Sequence, residues 1–240
     1  VKHPNSPIKI TKKKKFDFKK IKQKKKIKPS NYKIPSDISS SAFFIVLTAL
    51  SEKSELNIKD VNINPTRTGV LKILKMMGVK IVIKNIRSYK GEKIANISIK
   101  SSKNLKSINC PSILNSSAID EFLLIFWGDD RAKGISNFKK LSELNQKESP
   151  RLEWGSKILN KMGIKTVLTK DSLKIYGNPS IEIKKDIIIK DYLKDHRIFM
   201  ACTIAALTFG GRWKIYDKNS IKTSFPSFID KIKKLGAKIY

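Results

Sequence analysis

The feature that most narrows the fold is an internal repeat of about 80 residues, visible three times from Pro35 onward. Each copy opens with a polar cluster and an apolar helix pattern. These are Ser36-Asp37-Ile38-Ser39-Ser40 before Ala42–Leu50, Asn115-Ser116-Ser117 before Ala118–Trp127, and Lys194-Asp195-His196-Arg197 before Ile198–Leu207. A strand pattern follows each one: Glu55–Ile63, Ile135–Leu141 and Arg212–Ile215. A second helix comes next, opening at Asn64-Pro65-Thr66-Arg67, Ser149-Pro150-Arg151 or Ser224-Phe225-Pro226. It ends each time on a glycine, Gly78, Gly163 or Gly236, where a left-handed residue closes a helix at little cost.

Each glycine launches a strand: Val79–Ile81, Ile164–Val167 and Ala237–Ile239. The first two are expected to pair with Ala95–Ile99 and Ser180–Ile183; the third has no such partner. The unit reads βαβαββ once the strand of the preceding copy is counted. Its first helices are apolar around most of their circumference and so must be buried on several sides. The expected fold is therefore α/β and inside out, with helices within and sheets outside. The repeats are placed at about residues 34–110, 111–190 and 191–240, the last lacking its closing strands, within one domain over 34–240. Residues 1–33 alternate apolar and basic side chains (Ile8, Ile10, Phe16, Phe18, Ile21, Ile27). They read as a strand pair with a Lys-rich turn, the terminal strands of a preceding, incomplete domain. The chain is thus expected to be a piece of something longer.

A formal charge of +31, with 13 Lys among the first thirty residues, raises the question of nucleic acid. Lys is spread over the whole chain, however, without interleaved aromatics or a nucleic-acid motif, which argues against such a partner. The informative cations are the six arginines, because a planar fork is chosen where bidentate contact is needed. Three of them, Arg67, Arg151 and Arg197, fall at helix starts. Cys110 and Cys202 lie far apart without metal-ligand spacing, so a reducing, cytoplasmic setting is expected. His3 and His196 cannot make a zinc site between them, and the apolar runs Phe43–Leu50 and Ile119–Trp127 are too short to span a bilayer.

The chemistry is expected at Lys147-Glu148-Ser149-Pro150-Arg151. Ser149 suits an N-cap and Pro150 the first helical position. Two cations and a carboxylate at a helix start make an anion site with a proton carrier beside it. His196 and Arg197 add an imidazole and a second fork at another helix start. Symmetry would bring these helix ends to one face, where their dipoles combine into a positive field. Each residue also has a purely structural reading. Asp120 can be the acidic member of a capping box with Ser117, Asp195 an N-cap, Ser39 and Ser40 caps, and Glu148 a partner of Arg151 or Lys147.

Six segments in order resemble 5-enolpyruvylshikimate-3-phosphate synthases: Pro35–Ser40, Asn64-Pro65-Thr66-Arg67-Thr68-Gly69, Ile119–Phe122, Lys147–Arg151, Asp195-His196-Arg197 and Thr223-Ser224-Phe225-Pro226. The likeness runs from about residue 8 to 240 and covers roughly the C-terminal half of such an enzyme. It implies the inside-out α/β barrel of enolpyruvyl transferases and a place in the shikimate pathway. The implied reaction moves the enolpyruvyl group of phosphoenolpyruvate to the 5-hydroxyl of shikimate 3-phosphate and releases phosphate. The resemblance gives Asp120 as proton acceptor near that hydroxyl, with Lys147 on the same substrate. Glu148 becomes the proton carrier at the methylene carbon, supported by His196, and Arg151 and Arg197 the clamp on phosphoenolpyruvate. It implies no metal or organic cofactor, and no nucleic-acid or membrane partner. It further implies a missing N-terminal half of the same enzyme and a monomer when complete. Pro150, Ser36 and Thr223 depart from the usual Asp, Gly and phosphate-binding Lys of the family. Within the fold the alternative is a UDP-N-acetylglucosamine enolpyruvyl transferase; outside it, a basic nucleic-acid-binding module.

Overall fold

The computed structural model describes residues 8–13, 16–23 and 31–239. Strands β1 (Ile8–Lys13) and β2 (Phe16–Gln23) pair antiparallel, as the alternation predicts. Ile27 and the turn joining the two strands lie outside the described residues.

Three helices form the centre: α1 (Ile38–Leu50), α4 (Phe122–Asp130) and α6 (His196–Phe209), each packed on the other two. Every residue of α4 is buried, as are most of α1 and α6. That is the consequence of sequences such as Phe122-Leu123-Leu124-Ile125-Phe126-Trp127, which offer no polar stripe to turn toward water. Phe138 packs edge-on against Phe122 and Phe126, and the Trp127 indole N–H donates to the Ala201 carbonyl at 2.9 Å, tying α4 to α6. Each such large side chain contributes about 1.5–3 kcal/mol of burial.

Around this core run α2 (Gly69–Met76), α5 (Arg151–Met162) and α7 (Phe228–Lys234), with the sheets outermost. The first repeat has β3 (Glu55–Asn62), β4 (Lys80–Tyr89) and β5 (Glu92–Lys100) in the antiparallel order β3-β5-β4. The second has β6 (Gly134–Phe138), β7 (Thr166–Leu168) and β8 (Leu173–Gly177) in the equivalent order β6-β8-β7. Incoming chain adds parallel bridges at Ser36↔Val61, Lys106↔Lys133 and Asn109↔Asn137. In the third repeat β9 (Asp186–Ile189) pairs parallel with β10 (Arg212–Ile215), giving the same crossover.

Gly78, Gly163 and Gly236 have φ of +94°, +101° and +97°, the left-handed closures expected from the repeat. Other expectations fail for identifiable reasons. The partner of β7 is β8, not Ser180–Ile183. Pro179 has no N–H, Asn178 Oδ1 takes the Ser180 N–H in a local turn, and Ile183 N–H donates to the Phe209 carbonyl at the end of α6. Ala237–Ile239 is not a strand; the Ala237 N–H goes back to Ile232 at the end of α7. The predicted helix over Ala118–Trp127 is broken. A short α3 (Asn115–Ala118) is followed by a turn at Ile119–Glu121 before α4 begins.

Candidate active site

The three central helices are parallel, and their starts meet at one face. Asp37 caps α1 by accepting the Ser40 N–H at 2.8 Å, which leaves Ser39 in the first turn facing the core. The break before α4 places the Asp120 side chain and its backbone carbonyl beside the same face. Gly69 is what lets α2 lie against this break, since a Cβ there would come within 2.7 Å of the Ser117 carbonyl carbon. Asp195 caps α6 by accepting the Arg197 N–H at 2.9 Å.

Helix α5 starts differently from expectation. It begins at Arg151, Pro150 occupies the N-cap position, and Ser149 caps nothing. Asn145 Oδ1 receives the Leu152 and Glu153 N–H groups at 3.1 and 3.3 Å, while Ser149 Oγ donates to Asp195 Oδ2 at 2.8 Å. Pro150 thus removes a donor where the capping loop had no acceptor to spare, and Ser149 is released to hold a carboxylate on another element. Asp120 is not in a capping box either, because Ser117 Oγ donates to Leu114 instead.

Arg151 is the hub. Its side chain is 2% exposed and all three of its nitrogens donate to carboxylates. Nε reaches Asp195 Oδ2 at 2.8 Å and Nη2 reaches Asp195 Oδ1 at 3.3 Å, a bidentate fork; Nη1 reaches Asp120 at 3.1 Å, and Nη2 also pairs with Glu148. Asp195 is itself buried, whereas the Glu148 side chain is 54% exposed. Lys147 Nζ lies 3.4 Å from Asp120 and 3.8 Å from Glu143. Arg197 is held less tightly: Nη1 donates to the Asp120 carbonyl at 3.0 Å and Nη2 to Ser39 Oγ at 2.6 Å. Among the described residues nothing accepts from Arg197 Nε.

The charges respond to this arrangement. Burial works to raise Asp120, but Arg197, Lys147 and Arg151 outweigh it and hold the carboxyl below its ordinary range. Asp195 is likewise low, burial being overcome by Arg151, the Ser149 hydroxyl and the Arg197 N–H. Both are therefore ionised near neutrality. His196 is lowered, chiefly by burial, with Arg197 and Arg151 adding to it against Asp195 and Glu148, so a neutral imidazole stands there at pH 7. It hydrogen-bonds to none of the described residues, Glu148 included. The described residues contain no group of three or more His, Cys, Asp or Glu side chains able to hold a metal ion.

All six residues singled out from sequence, Asp120, Lys147, Glu148, Arg151, His196 and Arg197, fall in this one cluster. Sequence reasoning missed four others: Asp37, Glu121, Asn145 and the inward role of Ser39. Glu121 was adjacent to a candidate and in an apolar run, a signal that was available; Asn145 acts across a loop and gave none. Lys222 and Thr223 lie in a 3-10 turn, Lys218–Thr223, and among the described residues neither side chain hydrogen-bonds to this network.

Known proteins resemble this chain in both sequence and fold. Residues 6–232 match the family EPSP synthase (3-phosphoshikimate 1-carboxyvinyltransferase). A 3-phosphoshikimate 1-carboxyvinyltransferase of Ruthia magnifica is 40% identical over 206 residues, 86% of this chain and 46% of that protein. One of Hydrogenovibrio crunogenus is 40% identical over 89% of this chain and 47% of its own length. The structure of EPSP synthase from Acinetobacter baumannii superposes with a TM-score of 0.78 at 38% identity, over 84% of this chain and 46% of that one. The enolpyruvyl transferase NikO from Streptomyces tendae shares the fold at a TM-score of 0.58 and 18% identity. The chain spans about half the length of the curated relatives it matches. With its inside-out α/β repeats and this match across nearly its whole length, the chain belongs to the EPSP synthase family.

Proposed function

We propose that this chain supplies one wall of an enzyme that transfers the enolpyruvyl group of phosphoenolpyruvate to the 5-hydroxyl of shikimate 3-phosphate, releasing phosphate. The observation that carries the reading is the direct contact of Arg151 with Asp120, Glu148 and Asp195 at the start of three helices. Replacing phosphate by an alkoxyl at a vinyl carbon requires a proton to reach the neighbouring methylene and later leave it, while the attacking hydroxyl loses its own. Two carboxylates beside a cationic clamp are suited to that task. Asp120 takes the hydroxyl proton, with Lys147 on the same substrate, and the exposed Glu148 serves the methylene carbon. Neutral His196, within electrostatic reach of Glu148, supports it.

The clamp is Arg151 with Arg197. Arg197 offers its Nε directly, whereas Arg151 must exchange the Glu148 carboxylate for the substrate's. That exchange frees Glu148 to move its proton and draws cationic charge away from Asp120, which becomes a stronger base as the substrate arrives. Residues 34–240 form the three-repeat domain and 1–33 the terminal strands of the preceding one, with the rest of the enzyme supplying the opposite wall. The complete enzyme is a cytoplasmic monomer of the shikimate pathway, in keeping with its free, buried Cys110 and Cys202. Among the described residues no helix is long and apolar enough to cross a membrane.

The test is phosphate release from phosphoenolpyruvate and shikimate 3-phosphate by the full-length protein carrying this chain. Asp120→Asn should leave folding intact and lower turnover about a hundredfold. Near-normal turnover in a folded variant would remove Asp120 from the mechanism.

A further inference from the structure

We infer that Glu121 and Ser39 form a positioning pair that aims the Arg197 guanidinium and sets how much of its charge reaches the substrate. The inference rests on the proposed reading that Arg197 meets the anion of phosphoenolpyruvate. Ser39 is 1% exposed and Glu121 4% exposed, so neither is a solvent-facing helix residue. Arg197 Nη2 donates to Ser39 Oγ at 2.6 Å, and the single hydroxyl proton of Ser39 goes on to Glu121 Oε1. A guanidinium cannot accept, so the relay has one direction: cation, hydroxyl, carboxylate. The Asp120 carbonyl takes Nη1 at 3.0 Å, and the Phe43 ring lies 5.9 Å from the guanidinium carbon. Those contacts fix the plane of the fork.

The consequence lies in the contrast with Arg151. Asp195 grips Arg151 bidentately, and most of that charge is spent within the protein. Glu121 Oε1 stands 3.5 Å from Arg197 Nη1, and a neutral hydroxyl holds the closer position. Arg197 is thereby oriented without being fully neutralised, and its countercharge sits one step back from the ligand. The groups facing Glu121 are Ser39 from α1, Arg197 from α6, Arg67 ahead of α2 and the adjacent Asp120, with Asp37 pairing to Arg67 at 3.4 Å. Burial raises the Glu121 carboxyl against the pull of Arg197, Ser39 and Arg67. Its charge is therefore lost at a higher pH than that of an ordinary glutamate.

The experiment is steady-state kinetics of the full-length enzyme with both substrates varied across pH. Ser39→Ala should raise KM for phosphoenolpyruvate about tenfold while KM for shikimate 3-phosphate stays within twofold, and Ser39→Thr, which keeps the hydroxyl, should recover most of the loss. Glu121→Gln keeps an acceptor for Ser39 but removes the countercharge. It should lower KM for phosphoenolpyruvate about threefold at pH 7.5, and the difference from wild type should shrink as pH falls and Glu121 itself takes up a proton. Ser39→Ala with an unchanged KM for phosphoenolpyruvate, or a Glu121→Gln difference that does not depend on pH, overturns the inference. If Ser39→Ala does not fold, Ser39→Thr and the Glu121→Gln pH series decide alone. Arg197→Lys is the separate check: unchanged phosphoenolpyruvate affinity there refutes the proposed function, not merely the positioning pair.

Discussion

The two ends of the central helices carry the same residue types in opposite electrostatic states. At the starts, Asp120 and Asp195 are held low because arginines meet them. At the finishes, Asp129 and Asp130 are buried at the last turn of α4, and burial pushes Asp129 up to about 7 and Asp130 well above its ordinary value. Asp129 receives only the Ser136 hydroxyl, which itself accepts the Ile108 N–H at 2.7 Å. Neither oxygen of Asp130 has a partner among the described residues. The cation at this end, Arg131, is turned to the Leu50 and Thr208 carbonyls that close α1 and α6. A positive side chain there matches the negative ends of the helix dipoles. The site end turns Arg151 onto Asp120 and Asp195, which stay charged; the far end spends its arginine on backbone and leaves Asp129 and Asp130 raised by burial. Where a fork donates closely, as to Asp120 and Asp195, it outweighs burial; where the cation stands farther off, as Arg197 does from Glu121 at 3.5 Å, burial prevails.

The comparison can be broken most forcefully at Asp195. Asp195→Ala leaves the Arg151 guanidinium buried without its bidentate partner and uncaps α6, so it should cost about 3–5 kcal/mol, read as a lowered denaturation midpoint of the full-length protein. Unaltered stability would mean that the ion pair is not formed in solution. Next in size, Arg151→Lys and Arg197→Lys should each weaken phosphoenolpyruvate binding by about 2 kcal/mol by titration, since an ammonium cannot reproduce the fork. Glu148→Gln sharpens the contrast between the two arginines. It should abolish most turnover yet tighten phosphoenolpyruvate binding severalfold, because the competing carboxylate on Arg151 is gone; weaker binding would refute the exchange.

The far end predicts the smallest effect. Asp129 has a folded pKa above its unfolded value of about 4, so its penalty is absent below that pH and grows as pH rises toward 7. Asp120 and Asp195 run the other way: their stabilisation is present above about pH 4 and is lost as pH falls through their lower folded values. Asp129→Asn should therefore add about 1–2 kcal/mol at pH 8 and nothing at pH 4, measured as paired denaturation curves. A gain equal at both pH values would show that the carboxylate is not titrating in the fold.

The third repeat tests the symmetry in a second way. β3 and β6 pair with both a parallel neighbour and an antiparallel strand, while β10 has only β9 among the described residues. A groove of about 550 Å³ lies between α1, β3 and α7, lined by Phe44, Leu56, Ile58, Phe225 and Leu235. The repeat was legible in sequence because helix-closing glycines and apolar periodicity are local signals. The Ser180–Ile183 strand was misread because its apolar spacing is strand-like, while the Pro179 turn and the pull of the Phe209 carbonyl are not visible in spacing.

The sequence by itself determined the inside-out repeat, the identity of the central helices and the six residues of the candidate site. Helix periodicity, caps and the choice of Arg over Lys act within a few residues and survive in the one-dimensional pattern. Only the tertiary structure decided who serves whom. It gave the α5 cap to Asn145 and released Ser149 to Asp195, broke the helix at Ile119–Glu121, and set Glu121 behind Ser39. It also left Asp129 and Asp130 without a cation donating to them. Those outcomes depend on side chains from different repeats competing for the same donors, and a hydrogen bond between elements far apart in the chain leaves no period in the sequence to read.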